Sequence, residues 1–291
     1  MAKAFFKTWN RGFPTFGNFA FASFLVAVIS GIPLAIPYQV DRAFDSLQIL
    51  HLTNPAGLFF RSIHYWSGQL FILFTVVHII EHLLEGNERD LKTGLWIRLV
   101  IVTIASLFVM LSGFILKGDG EAVMARQILI GLLSTLPVFG ETLKLFILGA
   151  SKNMQLIYLH HLVTTTVFIW VVIIEHVRRA WPDLLSSVYL LGGGTILAIL
   201  FPPELMLPGA PLIRGPWYFI GLQELLHWIP DPLSVIGMLT LLLLLFSLVR
   251  WLPDKISIIG KWTLFIFLLF YSALTLNNWC FRDGNWNSIF L

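Results

Sequence analysis

The sequence predicts an all-α membrane protein with seven transmembrane helices, and two observations favour this fold class. Hydrophobic residues make up 57% of the 291 residues and charged residues only 12%, whereas soluble domains carry about 25% charged residues. The mean hydropathy is +0.82, and long apolar runs recur along the whole chain. Apolar runs of helical length are the usual way for a chain to cross a bilayer, because a helix satisfies all its own backbone hydrogen bonds.

Seven stretches are long and apolar enough to cross about 30 Å of hydrocarbon. They are 18–37, 57–84, 95–116, 156–179, 184–201, 231–251 and 258–277. The fifth is only marginally long enough. Two connections, 117–155 and 202–230, are too long for simple turns, and we expect their amphipathic segments to lie in the membrane interface.

Positively charged residues orient these spans. Lys3, Lys7 and Arg11 precede the first span, and Arg89 and Lys92 follow the second. Cytoplasmic loops carry an excess of Lys and Arg, so we expect a cytoplasmic N-terminus, with both long connections and the C-terminus outside. The apolar run after Arg11 lacks a clear small-residue cleavage site and is interpreted as a retained span. The predicted location is a bacterial cytoplasmic (inner) membrane.

Charge and cysteine content exclude several classes of protein. The formal charge is only +3, without a basic block, which argues against nucleic acid as a partner. The single cysteine, Cys280, excludes an intrachain disulfide and an iron–sulfur cluster held by this chain alone. It also excludes covalent attachment of a c-type haem, so any haem bound here should be non-covalent.

Four histidines form two groups at nearly equal spacing. His64 and His78 are 14 residues apart, and His161 and His176 are 15 apart. Fourteen residues make almost four full helical turns and a rise of about 21 Å. The second and fourth spans run in the same direction in the predicted topology. His64 and His161 (the outer pair) therefore fall near the outer face, and His78 and His176 (the inner pair) near the inner face.

These pairs predict metal ligation. Ionisable groups inside a membrane are costly and usually functional, and neutral imidazole is a metal ligand. We expect a four-helix bundle with two b-type haems, whose iron atoms are ligated by His64, His78, His161 and His176. His160 is a competing ligand, but its 16-residue spacing to His176 rotates it away from the face. His82 is interpreted as interfacial, and His51 and His227 as surface or quinone-pocket residues.

Two glycines repeat the histidine interval. Gly17 and Gly31 are also 14 residues apart, at the two ends of the first span. A glycine has no side chain, so a flat macrocycle can approach the helix backbone at that position. The alternative is ordinary packing between helices through small residues.

Several short motifs carry a resemblance to a known family. The stretch Arg61–Ser67 and the histidine spacings resemble cytochrome b of quinol–cytochrome oxidoreductases, and the 15-residue spacing is similar to that of cytochrome b6. Further matches are Ala43–Gln48, Leu136–Gly140, Pro216–Tyr218, Phe281-Arg282 and Trp286. The resemblance covers roughly residues 15 to 285, like a cytochrome b6 fused to a subunit IV.

The resemblance implies a set of roles. Arg61 would pair with a propionate of the outer haem, as suits its forked guanidinium, and Gly17, Gly31 and Gly113 would be points of close helix–haem approach. Residues 1–182 would form the dihaem domain, and 183–291 a three-helix domain with an outer quinol-site loop containing Trp217 and Tyr218. The implied partners are the quinone pool and an outer-face iron–sulfur protein or c-type, including multihaem, cytochrome. A homodimer within a larger complex would fit the family.

Three departures from the family pattern concern the outer quinol-site motif, the start of the outer loop and the inner haem. The Pro-Glu-Trp-Tyr motif is replaced by Gly215-Pro216-Trp217-Tyr218, which has no carboxylate, and Lys117-Gly118 replaces a Pro-Trp pair. Leu99 stands where an inner-haem glycine would lie. One hypothesis is that the proton acceptor at the outer face is Glu224, Asp119, Glu121 or His227. A second is that quinone reacts only near the inner haem, around Glu81, His82, Glu85 and Arg11.

The predicted function is a dihaem cytochrome b subunit that moves electrons between a quinol pool and an outer-face partner, within a membrane oxidoreductase complex. Trp217, Tyr218 and Glu224 are the candidate catalytic residues. One alternative is a dihaem anchor of another dehydrogenase or reductase, whose four- or five-helix plan fits seven spans poorly. Another is a transporter or structural subunit in which the histidines relay protons.

Overall fold

A computed structural model describes residues 14–149, 154–206 and 215–281, and within these ranges the regular structure is helical, as predicted. Arg11, Arg282 and Trp286 lie outside the described residues. The helices are α1 (Phe16–Ala35), α2 (Ala43–Thr53), α3 (Pro55–Glu85), α4 (Thr93–Ile115), α5 (Gly120–Thr135), α6 (Gly140–Leu148), α7 (Gln155–Val177), α8 (Leu184–Leu200), α9 (Trp217–Trp228), α10 (Pro232–Leu248) and α11 (Asp254–Phe281).

Six helices in the described ranges are long and apolar enough to cross a membrane. They are α1, α3, α4, α7, α10 extended to Trp251, and α11. The predicted fifth span corresponds to α8, which is apolar but has only 17 residues. Its length of about 26 Å falls short of the hydrocarbon thickness, so a seventh span remains a prediction.

Local sequence signals set the helix ends. Thr15, Asn54 and Asp183 cap α1, α3 and α8 by accepting a hydrogen bond from a backbone N–H three residues later, which satisfies one of the unpaired first-turn donors. Pro55 occupies the first position of α3, where a missing N–H costs nothing. Gly86 ends α3 in the left-handed conformation, with φ of 80°, as glycine commonly does.

The chain divides into two compact units, each with its own core. The first contains the described residues up to Met110 together with His161–Leu205. Its central cluster draws on four helices, α1, α3, α4 and α7, and comprises Phe21, Phe24, Leu25, Phe71, Val102, Val109, Ile169 and Val172. Helix α8 packs on α1 and α3 within this unit.

The second unit contains Leu111–His160 and the described residues from Met206 onward. Its core is formed by Leu225 and Leu226 of α9, Val235 of α10 and Leu274 of α11. Ile128 and Leu132 of α5 pack against this cluster. The contacts that α8 makes with α1 and α3 place it in the first unit. The predicted functional division falls instead at residue 182, and that division stays a prediction.

Candidate functional site

The outer pair brings two imidazoles from different helices together. The ring centroids of His64 on α3 and His161 on α7 are 6.0 Å apart. The Nδ1 atom of His64 lies 2.8 Å from the carbonyl oxygen of Ala27, and that of His161 lies 3.0 Å from the carbonyl oxygen of Val109. A carbonyl only accepts hydrogen bonds, so each Nδ1 carries the proton and each Nε2 keeps a lone pair.

The inner pair repeats this juxtaposition four turns further along α3. The ring centroids of His78 and His176 are 6.2 Å apart. The Nδ1 atom of His78 is buried without a hydrogen-bond partner in the described part of the chain. Buried polar atoms are normally paired. This ring nitrogen therefore indicates that the inner pair can form a further bond, to a group other than the described residues.

Both separations fit one metal atom held between two imidazoles. Metal–imidazole nitrogen bonds are about 2 Å long, and with a ring radius of about 1 Å on each side they place collinear rings about 6 Å apart. Imidazole is a suitable ligand for iron. The residues present therefore fit two bis-histidine metal centres, which is the ligand set expected for two b-type haems.

A turn of π-helix in α7 explains why its spacing is 15 rather than 14. In a regular α-helix, 14 residues end about 40° short of four turns and 15 residues about 60° beyond them. Residues His160–Thr164 form a π-helical turn, which accommodates one extra residue per turn. The hydroxyl of Thr166 donates to the carbonyl oxygen of His161 beside this turn. The extra residue is thus absorbed, and His161 and His176 lie on one face.

Gly17 and Gly31 lie directly against the histidine rings of α3. A β-carbon built at Gly17 would be 2.8 Å from Cε1 of His78, and one at Gly31 would be 3.1 Å from Cε1 of His64. Because α1 and α3 are antiparallel and both intervals are 14 residues, the contact repeats at each end. In the structure these glycines make room for the imidazoles; their role as points of close helix–haem approach stays a prediction.

Gly113, a predicted point of haem approach, and Leu99, which replaces a family glycine, both lie on α4. Gly113 lies in the last turn of α4 and is partly buried. Leu99, at the position of the missing family glycine, packs against the core of the first unit.

Arg61 is buried one turn before His64, with 6% of its surface exposed. Its Nη1 atom lies 2.6 Å from Nε2 of His51 and donates to the carbonyl oxygen of Pro203 at 2.6 Å. Burial, together with the neighbouring guanidinium of Arg61, lowers the pKa of His51 from 6.5 to about 4. The His51 ring is therefore neutral at physiological pH and accepts this hydrogen bond. This contact with Arg61 is not indicated by the sequence, which predicts His51 to be a surface or quinone-pocket residue.

The competing histidines have other neighbours. His160 is buried, and its Nε2 lies 3.0 Å from the carbonyl oxygen of Phe146. The ring of His82 lies 4.3 Å from that of His78, and its Nδ1 contacts the side-chain amide of Asn87 at 2.8 Å. His78, Glu81 and His82 offer three potential ligand atoms within 4.8 Å of one another.

The candidate quinol-site residues begin helix α9 in the second unit. Trp217 is 38% exposed, whereas Tyr218 is buried. The backbone carbonyl of Tyr218 accepts a hydrogen bond from the hydroxyl of Tyr271 at 2.7 Å, and the same hydroxyl accepts from the backbone N–H of Leu222 at 3.1 Å. Helix α11 thus fixes the first turn of α9.

Glu224 is fully buried between α9 and α11. Its carboxylate accepts hydrogen bonds from Nε1 of Trp228 at 2.8 Å, Nδ2 of Asn277 at 3.2 Å and Nδ2 of Asn278 at 2.9 Å. The side-chain oxygen of Asn278 is buried with no partner among the described residues. Glu224 therefore anchors α9 to α11 in addition to any chemical role.

The other candidate acids surround Lys117. Its ammonium lies 3.0 Å from Oδ2 of Asp119 and 2.7 Å from Oε2 of Glu121. Asp119 also caps α5 by accepting from the backbone N–H of Ala122, and it accepts from that of Met206 at 3.1 Å. His227, by contrast, is exposed on α9.

Comparison with known proteins assigns the family. Residues 4–181, more than half of the chain, match the family model described as cytochrome b/b6/petB. The chain belongs to the cytochrome b family. The matched range contains all four paired histidines, together with Arg61, Gly17, Gly31 and Gly113, whereas Trp217, Tyr218 and Glu224 lie beyond it.

Individual relatives agree with this assignment. The chain is 30% identical over 133 residues to cytochrome b6 of Auxenochlorella protothecoides, a match that covers 45% of this chain and 62% of that protein. It is 24% identical over 179 residues to cytochrome b of Allochromatium vinosum, covering 58% of this chain and 43% of that protein. The chain thus spans less than two thirds of the length of these relatives.

The fold of this cytochrome b also resembles that of a solved structure over nearly its whole length. A chain of a hyperthermophilic respiratory complex III superposes with a TM-score of 0.66 and 17% identity, covering 90% of both chains. At this level of identity the likeness concerns the fold alone. It extends beyond residue 181, where the match to the family model ends.

Proposed function

We propose that this cytochrome b holds two b-type haems non-covalently and moves electrons between a quinol pool and a redox partner on the outer face, as a subunit of a larger membrane oxidoreductase complex. His64 and His161 would ligate the outer haem, and His78 and His176 the inner haem. The observation that carries this proposal is the pair of cross-helix imidazole contacts, with centroids 6.0 and 6.2 Å apart.

When bound, the haems supply reversible one-electron chemistry; the protein supplies ligands and surroundings. The Nδ1 bonds of His64 and His161 to backbone carbonyls fix the ring orientation, and each Nε2 would be the atom that binds the iron. The apolar core of the first unit keeps water away from the ligands. Gly17 and Gly31 determine how closely the rings of His78 and His64 approach the backbone of α1. We assign Gly113 to close haem approach on the family resemblance.

Arg61 would bind a propionate of the outer haem. Its guanidinium is buried beside His64 and is held by acceptors on one nitrogen. Arginine presents five N–H donors in a planar fork that matches a carboxylate.

Quinol oxidation releases two electrons and two protons, so a proton acceptor is required as well as an electron exit. We propose Trp217 and Tyr218 as walls of an outer quinol site and Glu224 as its acceptor. Glu224 carries a buried carboxylate on the same helix, which compensates for the missing motif acid. Asp119, Glu121 and His227 are the alternative acceptors.

The second candidate position for quinone chemistry is the inner end. Glu81 is buried there beside His82, and Glu85 accepts a hydrogen bond from Asn87. A quinone reacting at this end would exchange electrons with the inner haem, and the two haems would connect it to the outer partner. That partner would be an iron–sulfur protein or a c-type cytochrome, and the cytochrome b would sit in a bacterial inner membrane with its N-terminus cytoplasmic.

The test is a reduced-minus-oxidised spectrum of the purified chain with a pyridine haemochrome count. Two b-type haems per chain are expected. A folded chain without Soret absorbance would overturn the proposal and favour a transporter or structural subunit.

A further inference from the structure

We propose that His51 is a positioning residue for Arg61: its ring accepts a hydrogen bond from the guanidinium and holds this positive charge one turn before His64, beside the outer haem. This inference rests on the proposed function. It adds a residue from α2, outside the two ligand helices, to the surroundings of the outer haem.

The first step is how Arg61 is held. Its Nη1 atom carries two N–H groups, and two acceptors lie within 2.6 Å of it, Nε2 of His51 and the carbonyl oxygen of Pro203. Because the guanidinium is planar, fixing both hydrogens of one nitrogen fixes the whole group.

The second step is the state of His51. A ring nitrogen that accepts from an arginine must be unprotonated, since a cationic imidazole has donors only. Burial and the guanidinium hold the pKa of His51 near 4, so the acceptor is present throughout the neutral range. An apolar side chain at residue 51 would leave a buried N–H of Arg61 without this acceptor, which is costly.

The third step is the scaffold around this contact. Helix α2 brings His51, α3 brings Arg61, and the segment after α8 brings Pro203. A second bond ties that segment to α3, because Nε1 of Trp66 donates to the carbonyl oxygen of Phe201 at 2.8 Å. Three parts of the first unit therefore converge to hold one cation one turn before His64.

The consequence is a shift in the redox potential of the outer haem. A fixed positive charge near an iron favours the reduced, less positive state, and groups around the ligands are known to tune metal potentials. Without His51, the guanidinium gains freedom to move away, so the potential of the outer haem should become more negative. The inner haem lies about four helical turns away and should be unaffected.

The experiment is a potentiometric titration of the purified full chain, wild type and variants. His51→Gln keeps an acceptor oxygen, whereas His51→Met has a similar size but is a poor acceptor. Thr53→Val is the control, because Thr53 is exposed on the same helix. The outer haem is identified as the one lost in a His161 variant. We expect a negative shift of the outer potential in His51→Met, with His51→Gln and Thr53→Val close to wild type.

An outer potential in His51→Met equal to that of Thr53→Val would overturn the inference. If His51→Met does not accumulate, His51→Ala, which also removes the acceptor, takes its place. A negative shift of the outer potential in His51→Ala supports the positioning role, and an outer potential equal to that of the wild type contradicts it. Absence of haem from the wild type would instead refute the proposed function, so the two failures are distinguishable.

Discussion

The backbone of Gly17 lies against the imidazole of His78 so closely that a β-carbon at residue 17 would come within 2.8 Å of Cε1 of the ring. Gly31 has the same relationship to His64, at 3.1 Å. Two helices thus interlock through glycine on one side and histidine on the other, at both ends of a 14-residue interval. Because these two positions of α1 have no side chain, the rings of His78 and His64 on α3 can lie directly against the α1 backbone.

Alanine at these glycines should damage the two sites unequally. Gly17→Ala must displace the His78 ring and should cost about 1–3 kcal/mol of stability, the usual range for overpacking. It should also reduce the content of the inner haem. Gly31→Ala has a less severe contact and should affect the outer haem more weakly. Thermal unfolding and haem content measure both effects.

Gly192→Ala is the matched control, because a β-carbon there meets no atom within 4 Å. The same substitution in a helix should there be neutral or stabilising by up to about 1 kcal/mol. Equal losses of haem in Gly17→Ala and Gly192→Ala would contradict the role of Gly17.

Acidification should destabilise the protein partly through His51. Its pKa is lowered from 6.5 to about 4 in the folded state, so the unfolded chain takes up the proton first as the pH falls. The contribution of His51 to stability is therefore complete above pH 6.5 and is lost between 6.5 and about 4. Denaturant unfolding at several pH values gives the free energy of unfolding as a function of pH. Between pH 6.5 and about 4 this curve should be steeper for the wild type than for His51→Gln. Equal slopes would show that His51 has the same pKa in the folded and unfolded states.

Replacing Glu224 by Gln should affect both folding and turnover. The amide nitrogen would face side-chain N–H donors that now bind the carboxylate, at a cost of about 1–3 kcal/mol. As the proposed proton acceptor, Glu224→Gln should also cut turnover of a short-chain quinol sharply. Near-normal turnover in folded protein would remove Glu224 from the chemistry. Glu141→Gln, on a side chain that is 68% exposed, is the control and should change stability by less than about 0.5 kcal/mol.

The π-helical turn of α7 should matter for the outer pair. Thr166→Val removes the hydroxyl that donates to the carbonyl of His161 and should cost about 1 kcal/mol. The spectrum of the outer haem should change while that of the inner haem stays constant. Thr164→Val alters an exposed residue of the same turn and should behave as wild type. An unchanged outer spectrum in Thr166→Val would show that His161 is placed independently of this bond.

Features that repeat at helical intervals were predictable from the sequence. The 14-residue spacings of His64 with His78 and of Gly17 with Gly31 follow from helix geometry alone, and apolar runs located the six long helices. The helical class is confirmed. Whether α8 spans the membrane could not be predicted. With 17 residues it is at the lower limit of length for a transmembrane helix, and at that length an apolar composition does not distinguish a membrane span from a shorter buried helix.

Features that depend on tertiary contacts were not predictable. The π-turn at His160–Thr164 leaves no signal except the 15-residue spacing itself. The approach of His51 to Arg61 joins residues ten positions apart across a helix boundary, and the bond to Pro203 spans 142 positions. The carboxylate of Glu224 accepts hydrogen bonds from Asn277 and Asn278 of α11. No pattern in the sequence around residue 224 indicates these partners.

The most direct test of the central claim is a haem count on single-ligand variants with a neighbouring histidine as control. We expect two b-type haems in the wild type, one in His78→Ala and one in His161→Ala, with the two variants losing spectrally or potentiometrically different haems. His160→Gln, whose ring contacts the carbonyl of Phe146, should keep both. Two haems retained in His78→Ala and His161→Ala, or one lost in His160→Gln, would contradict the assignment of the ligands.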